Sequence, residues 1–137
     1  MNPRQIAEYM FDQDEFSKWM NIKMIEVKEN YCLLEMPIKK EMINGLKTVH
    51  GGVTFAFADS ALAFSSNNSG DAAVALNCII SFTKAGKEGD IFRAESKLVN
   101  NTRKTAVYDI NITNQHEELI AKFVGTVYKI GKKVTEL

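Results

Sequence analysis

Fifteen residues in the middle of the chain restrict its fold more than any other stretch: His50-Gly51-Gly52-Val53-Thr54-Phe55-Ala56-Phe57-Ala58-Asp59-Ser60-Ala61-Leu62-Ala63-Phe64. Two glycines open what reads as a helix, and almost every later position is apolar, on all sides rather than along one stripe. Such a helix is stable only when other elements cover most of its surface. One charged residue, Asp59, stands in its middle. A carboxylate among Ala and Phe side chains is costly to bury unless it is paired or hydrogen-bonded. The glycines allow close approach to free backbone N–H groups at the positive end of the helix. A helix N-terminus that favours negative charge and a carboxylate in an apolar setting are two parts of an acyl-transfer site.

The flanking sequence supplies the cover. Pro3 to Met10 has helical spacing, with Pro at an N1-like position. Asp12 to Ser17 is polar and turns, with a second short helical piece reaching Met20. Ile22–Val27 and Tyr31–Ile38 alternate as strands around a break at Glu29-Asn30. Lys39 to Val49 is a loop carrying the turn dipeptide Asn44-Gly45. The central helix is expected from about Gly52 to Asn67, closed by Gly70. Four more strands follow: Ala72–Thr83, Ile91–Val99, Thr105–Thr113 and Leu119–Ile130. The first of them is apolar on both faces, which predicts burial on both. The short turns predict antiparallel pairing, and the tail from Gly131 to Leu137 is expected to be loose. One apolar helix and one sheet must bury each other, so the layout is α+β, with an antiparallel sheet wrapped around the helix. The helix has more apolar surface than one sheet covers, so its remaining face is expected to meet a second subunit.

At 137 residues the chain is expected to form a single domain over residues 1–137. Its 17 basic residues balance 17 acidic ones. That argues against nucleic acid as a partner and is compatible with self-association. The N-terminus lacks a signal-type apolar region, and no apolar run is long enough for a membrane span. Cys32 and Cys78 lie far apart in strand-like runs and read as small buried hydrophobes. A cytoplasmic protein is expected.

Several residues together carry a family resemblance: Asn44, His50-Gly51-Gly52, Ala58-Asp59, Phe82 with Lys84-Ala85-Gly86, Gly89-Asp90, Ala106 to Ile110, and Ala121 to Tyr128. In this set the chain resembles the hotdog fold, and within it the phenylacetic-acid-degradation (PaaI-type) acyl-CoA thioesterases. The likeness runs from about Ile22 to Ile130. It implies hydrolysis of acyl-CoA to free acid and CoA, aryl acyl groups of the phenylacetyl type included. It also implies a homodimer, often paired into a tetramer, with CoA as part of the substrate and no metal or other cofactor. Relatives commonly carry Pro at the position of Ala85 and Gly at that of Thr102, which are turn differences. Some place Ser or Thr on the strand after the helix, where this chain has Ala75 and Leu76, so no polar helper is assigned there.

Each candidate has a plain structural alternative. Asp59 could hydrogen-bond to Ser60 or Thr54; with the motif it reads as the catalytic carboxylate, taking a proton from water or attacking the thioester itself. Desolvation should raise its pKa. Gly51 could be a loop glycine, but its N–H is placed to polarise the thioester oxygen. Gly52 supplies space at the substrate. His50 is expected to hold the loop or orient the substrate, and His116 to be solvated in a turn. Asn44 could simply make its turn, or could hold the attacking water or the acyl carbonyl. Lys84, Arg103 and Lys104 are solvated turn residues or the cations that meet CoA phosphates. Phe55, Phe57, Phe64 and Met24 are mostly core, and Phe57 is the one assigned to the acyl group. A hotdog dehydratase is the enzyme alternative, but its usual His-Phe-Pro context is absent. A non-catalytic acyl-CoA sensor is the other; the short N-terminal segment leaves no room for the DNA-binding unit such domains carry.

Overall fold

The computed structural model describes residues 1–137. Two short helices, α1 (Pro3–Asp12) and α2 (Glu15–Trp19), precede a hairpin of β1 (Lys23–Lys28) and β2 (Tyr31–Pro37). The long helix α3 spans Gly51–Ser66. Strands β3 (Asp71–Phe82), β4 (Ile91–Asn101), β5 (Thr105–Thr113) and β6 (Leu119–Lys133) complete a six-stranded sheet in the order β1-β2-β4-β5-β6-β3. Every pairing is antiparallel. This is the hotdog architecture, a sheet curled around one helix.

Alternation builds the inner face of the sheet. Cys32, Leu34 and Met36 on β2, Phe92, Ala94 and Ser96 on β4, and Ala106, Tyr108, Ile110 and Ile112 on β5 are all buried. They close around Phe57, Ala58, Ala61, Leu62 and Phe64 of α3. The approach is closest at Gly125 of β6, where an added Cβ would stand 2.7 Å from Leu62. Only glycine lets helix and sheet meet there, and this is a packing requirement rather than a turn.

The polar end of α3 is a clamp. Asn67 Nδ2 donates to Ala63 O at 3.0 Å, and its Oδ1 accepts from Ala73 N at 2.8 Å, tying the helix end to β3. Buried Asn68 donates to Lys28 O and accepts from Asn30 N, both at 2.8 Å, holding the β1–β2 hairpin. Ser65 and Ser96 share a 2.6 Å bond under the sheet. A stretch of poor helix formers thus satisfies buried polar groups that would otherwise be orphaned.

Three expectations are corrected. β3 is not buried on both faces: it is the free edge of the sheet, and Val74, Leu76, Ile79 and Phe82 are each more than half exposed. Apolar composition marks what a strand needs to cover, not whether its own chain covers it. The segment between β3 and β4 is no hairpin either, because β3 pairs with β6 while β4 lies between β2 and β5. The tail is not loose: β6 runs to Lys133, a 3-10 turn covers Val134–Glu136, and Val134 is buried against Ile6 and Ala72. The cysteines are unbonded, Cys32 buried and Cys78 half-buried. No helix is long and apolar enough to cross a membrane.

Candidate active site

The first turn of α3 is prepared by the loop before it. Asn44 Oδ1 accepts from Leu46 N at 2.9 Å and Thr48 N at 3.2 Å, which shapes the turn. Val49 N donates to Gly86 O at 3.0 Å and His50 N to Met42 O at 2.8 Å, which aims the chain into the helix. His50 is the N-cap. Its Nδ1 accepts from Gly52 N at 2.9 Å, and its carbonyl accepts from Val53 N at 2.9 Å and Thr54 N at 3.3 Å. The Thr54 bond is the first regular turn of the helix; of the four N–H groups before it, those of His50, Gly52 and Val53 are thereby used. The fourth, on Gly51, donates to no group of the chain. It lies at the positive end of the helix, where a developing oxyanion would be stabilised.

Gly51 also has little room beside it. An added Cβ would stand 3.1 Å from the ring of Phe82 at the end of β3. A recess of about 340 Å³ opens here, lined in part by Gly51, Thr54, Phe82 and Lys84. Lys84 is paired with Glu118 at 3.1 Å. The Asn44 amide nitrogen has no partner in its loop, so that side chain both makes the turn and keeps two donors free.

Asp59 stands farther along α3. Its carboxylate makes no hydrogen bond: Ser60 Oγ is bonded instead to Ser17 Oγ at 2.9 Å. Partial desolvation pushes the Asp59 pKa above its ordinary value, and the negative charge of Asp14 adds to the shift. Burial, then the charge of Asp59, raises the Cys78 thiol in turn. Neighbours that make ionisation costly suit a carboxylate acting as a base.

Within one chain these groups do not all converge. Gly51 and Asp59 are eight residues apart on α3, roughly 12 Å of rise, whereas a hydrogen-bonded proton transfer spans about 3 Å. Gly51, Gly52, His50, Asn44 and Lys84 gather at one end of the helix. Arg103 and Lys104 lie in the β4–β5 turn with Tyr128 and Lys129, at the opposite end of the sheet. The assignment of Phe57 to the acyl group is corrected: its ring is fully buried in the core. A helix apolar on every side hides which of its faces is open. Sequence reasoning also missed Phe82 over Gly51, Asp14 near Asp59, and the aromatic pair Phe16–Trp19, whose ring centres are 5.9 Å apart. The only available signal for the last was a lone tryptophan in a polar segment.

Comparison with known proteins follows the same lines. Residues 46–121 match the family described as the thioesterase superfamily. The acyl-coenzyme A thioesterase PaaI of Escherichia coli is 36% identical over 131 residues, spanning 96% of this chain and 94% of that protein. The structure of the E. coli PaaI protein superposes with a TM-score of 0.94 at 35% identity, over 96% of this chain and 95% of that one. A Streptococcus mutans protein solved bound to acetyl CoA superposes with a TM-score of 0.79 at 28% identity, over 82% of this chain and 90% of that one. The chain therefore belongs to the thioesterase superfamily, among its PaaI-like members.

Proposed function

We propose that this chain hydrolyses acyl-CoA thioesters to free acid and CoA in sites shared by two copies. The observation that carries the reading is the unpartnered Gly51 N–H at the start of α3, with the other first-turn donors already engaged by His50. The E. coli relative is an acyl-coenzyme A thioesterase and the S. mutans neighbour binds acetyl CoA, which supports CoA thioesters as the substrate class. In the reaction Asp59 takes a proton from water, and the water oxygen adds to the thioester carbon. The Gly51 N–H meets the oxyanion. The C–S bond then breaks and CoA leaves as the thiol after regaining a proton. Water, a base and an N–H donor suffice, so no metal or redox cofactor is invoked.

The dimer follows from reach and from the open edge. Asp59 is too far from its own Gly51 to act on the same carbonyl. β3 offers a free edge with exposed apolar side chains, the kind of surface a second copy covers. Twofold pairing along β3 is antiparallel. It sets the Phe82 end of one strand beside the Asp71 end of the other. Asp59 of one copy then approaches Gly51 of the other, and Arg103 and Lys104 come to the partner's site, within the span of CoA phosphates.

Two experiments test this. Purified protein should release CoA from at least one member of a panel of short, medium, long and aryl acyl-CoAs, with no added metal and with chelator present. No release across the panel rejects the enzyme. Inactive Asp59→Ala and Asn44→Ala chains, unfolded and refolded together, should regain activity in hybrid dimers, because one site of each hybrid is intact. Verified hybrids without recovery reject the shared site.

A further inference from the structure

Three threonines line the recess at the start of α3: Thr48, Thr54 and Thr83. Two of their hydroxyls are spent inside the chain. Thr48 Oγ1 donates to Asn44 Oδ1 at 3.3 Å, and Thr83 Oγ1 donates to Leu119 O at 2.7 Å. The third differs. Thr54 is only 2% exposed, yet its hydroxyl has no hydrogen-bond partner in the chain. Nor is its oxygen sealed from the surface, so the little exposure that Thr54 keeps includes the hydroxyl.

Local packing does not account for that hydroxyl. A Thr hydroxyl in a helix ordinarily bonds the carbonyl three or four residues back. Here the His50 carbonyl accepts from Val53 N and Thr54 N, and not from the Thr54 side chain. One turn farther along the same side, Phe57 and Ala58 are fully buried and apolar. Valine would fill the space of Thr54 with no polar group left unpaired, and an unpaired buried hydroxyl is costly. One turn earlier stands the other unpartnered donor, the Gly51 N–H. Helical side chains lean toward the N-terminus over the preceding turn, which carries the Thr54 hydroxyl toward Gly51. Positions three apart on a helix are about 5–6 Å from one another. One oxygen can therefore meet both donors at about 3 Å.

We propose that the Thr54 hydroxyl is the second donor of the oxyanion site, bonding the thioester oxygen together with the Gly51 N–H. The inference rests on the thioesterase reading, which supplies that oxygen. Gly51 offers one hydrogen, whereas an oxygen that takes up a negative charge as water adds can accept more than one. Thr54 gives up no proton. Its hydrogen bond strengthens as C=O becomes C–O⁻, and relaxes when C=O re-forms and the C–S bond breaks. Val49, Phe82 and Ile120 line the same recess. In such apolar company a fixed donor counts for more than it does in bulk water. Both donors sit on one α3, so the oxyanion half of the shared site comes from a single copy.

Two substitutions divide the side chain into its parts. Thr54→Val keeps the shape and removes the hydroxyl, whereas Thr54→Ser keeps the hydroxyl and removes the methyl. Thr54→Val should lower kcat by about tenfold or more, with KM nearly unchanged and Tm not reduced. Thr54→Ser should stay close to the wild type. A readout independent of turnover uses the ketone analogue of acetyl-CoA, with CH2 in place of sulfur and carbon-13 at the carbonyl. At saturation, judged by calorimetry, its carbonyl resonance should move downfield in the wild type and in Thr54→Ser, and distinctly less in Thr54→Val. A loss in kcat of less than about tenfold in Thr54→Val overturns the proposal. So does an equal loss in Thr54→Ser, which would make the methyl the part that matters, or the same carbonyl shift in all three proteins. Each of these leaves the thioesterase reading intact as long as the wild type releases CoA. No release by the wild type from any acyl-CoA rejects the hydrolysis, and the carbonyl shift then decides the donor pair by itself.

Discussion

Phe57, Ala58, Ala61, Leu62 and Ser65 run along one side of α3 and are buried under the sheet, whereas Gly52, Ala56, Asp59 and Ala63 run along the other and are not. The two stripes are equally apolar in composition except for Asp59, yet they serve different ends. The covered stripe is packed to the point where Gly125 has no room for a Cβ. The open stripe carries small residues and an unpaired carboxylate. One helix thus supplies the core of its own chain and, in the proposed dimer, the catalytic surface of a shared site. Side chains on the first stripe are selected by volume and those on the second by chemistry, so substitutions on opposite sides of one 16-residue helix should separate stability from activity.

The largest separation is expected at Asp59. Asp59→Asn keeps shape and polarity but removes the base, and kcat should fall by about a hundredfold or more. KM should move little, since the carboxamide still fits. Near-normal kcat in a CoA-release assay would erase the distinction between the stripes and make Asp59 structural.

The covered stripe should show the reverse. Leu62→Ala should cost about 2–5 kcal/mol in denaturant unfolding, with kcat per folded molecule retained. Gly125→Ala should also destabilise, because its Cβ would stand 2.7 Å from Leu62. The double variant should be less destabilised than the two single losses added together, since each change relieves the other. Strict additivity would show that helix and sheet do not meet at this point as described.

The smallest effect sharpens the comparison through pH. The folded-state pKa of Asp59 is raised by desolvation first and by Asp14 second. A raised acid stabilises the folded state only while protonated, and that contribution is lost as pH rises through the folded pKa. At neutral pH the ionised side chain is therefore a small liability. Asp59→Asn should raise Tm slightly at pH 7, and the gain should vanish below the ordinary aspartate value of 3.8. A Tm gain that persists in acid would place its origin elsewhere. Asp14→Asn, which still caps α2, should shift the acid limb of kcat/KM to lower pH by removing the like charge.

How legible all this was depended on the range of the interaction. Strand alternation placed β1, β2, β4 and β5 within one or two residues, because it reports a local two-residue period that survives in any packing. The order of strands was not legible. β3 and β6 pair although two strands lie between them in sequence, and nothing local at Thr83 to Asp90 distinguishes a crossover from a hairpin. The tail from Gly131 looked loose because its partners, Ile6 and Ala72, are distant in the chain. At the site, His50 and Gly51 were legible because capping is a contact between neighbours. Phe82 over Gly51 and Asp14 near Asp59 were not, since they reach the helix only through the fold.

The sequence alone determined that one helix, apolar on every side and opened by His50-Gly51-Gly52, would need a sheet around it and would hold Asp59 against desolvation. Those facts follow from composition and short-range spacing, which act before any tertiary contact forms. The tertiary structure decided which stripe of that helix stays open, that Phe57 belongs to the core, and that β3 ends the sheet as a bare apolar edge. Those depend on which distant segments meet, and pairings between distant segments are chosen by the packing of the whole chain.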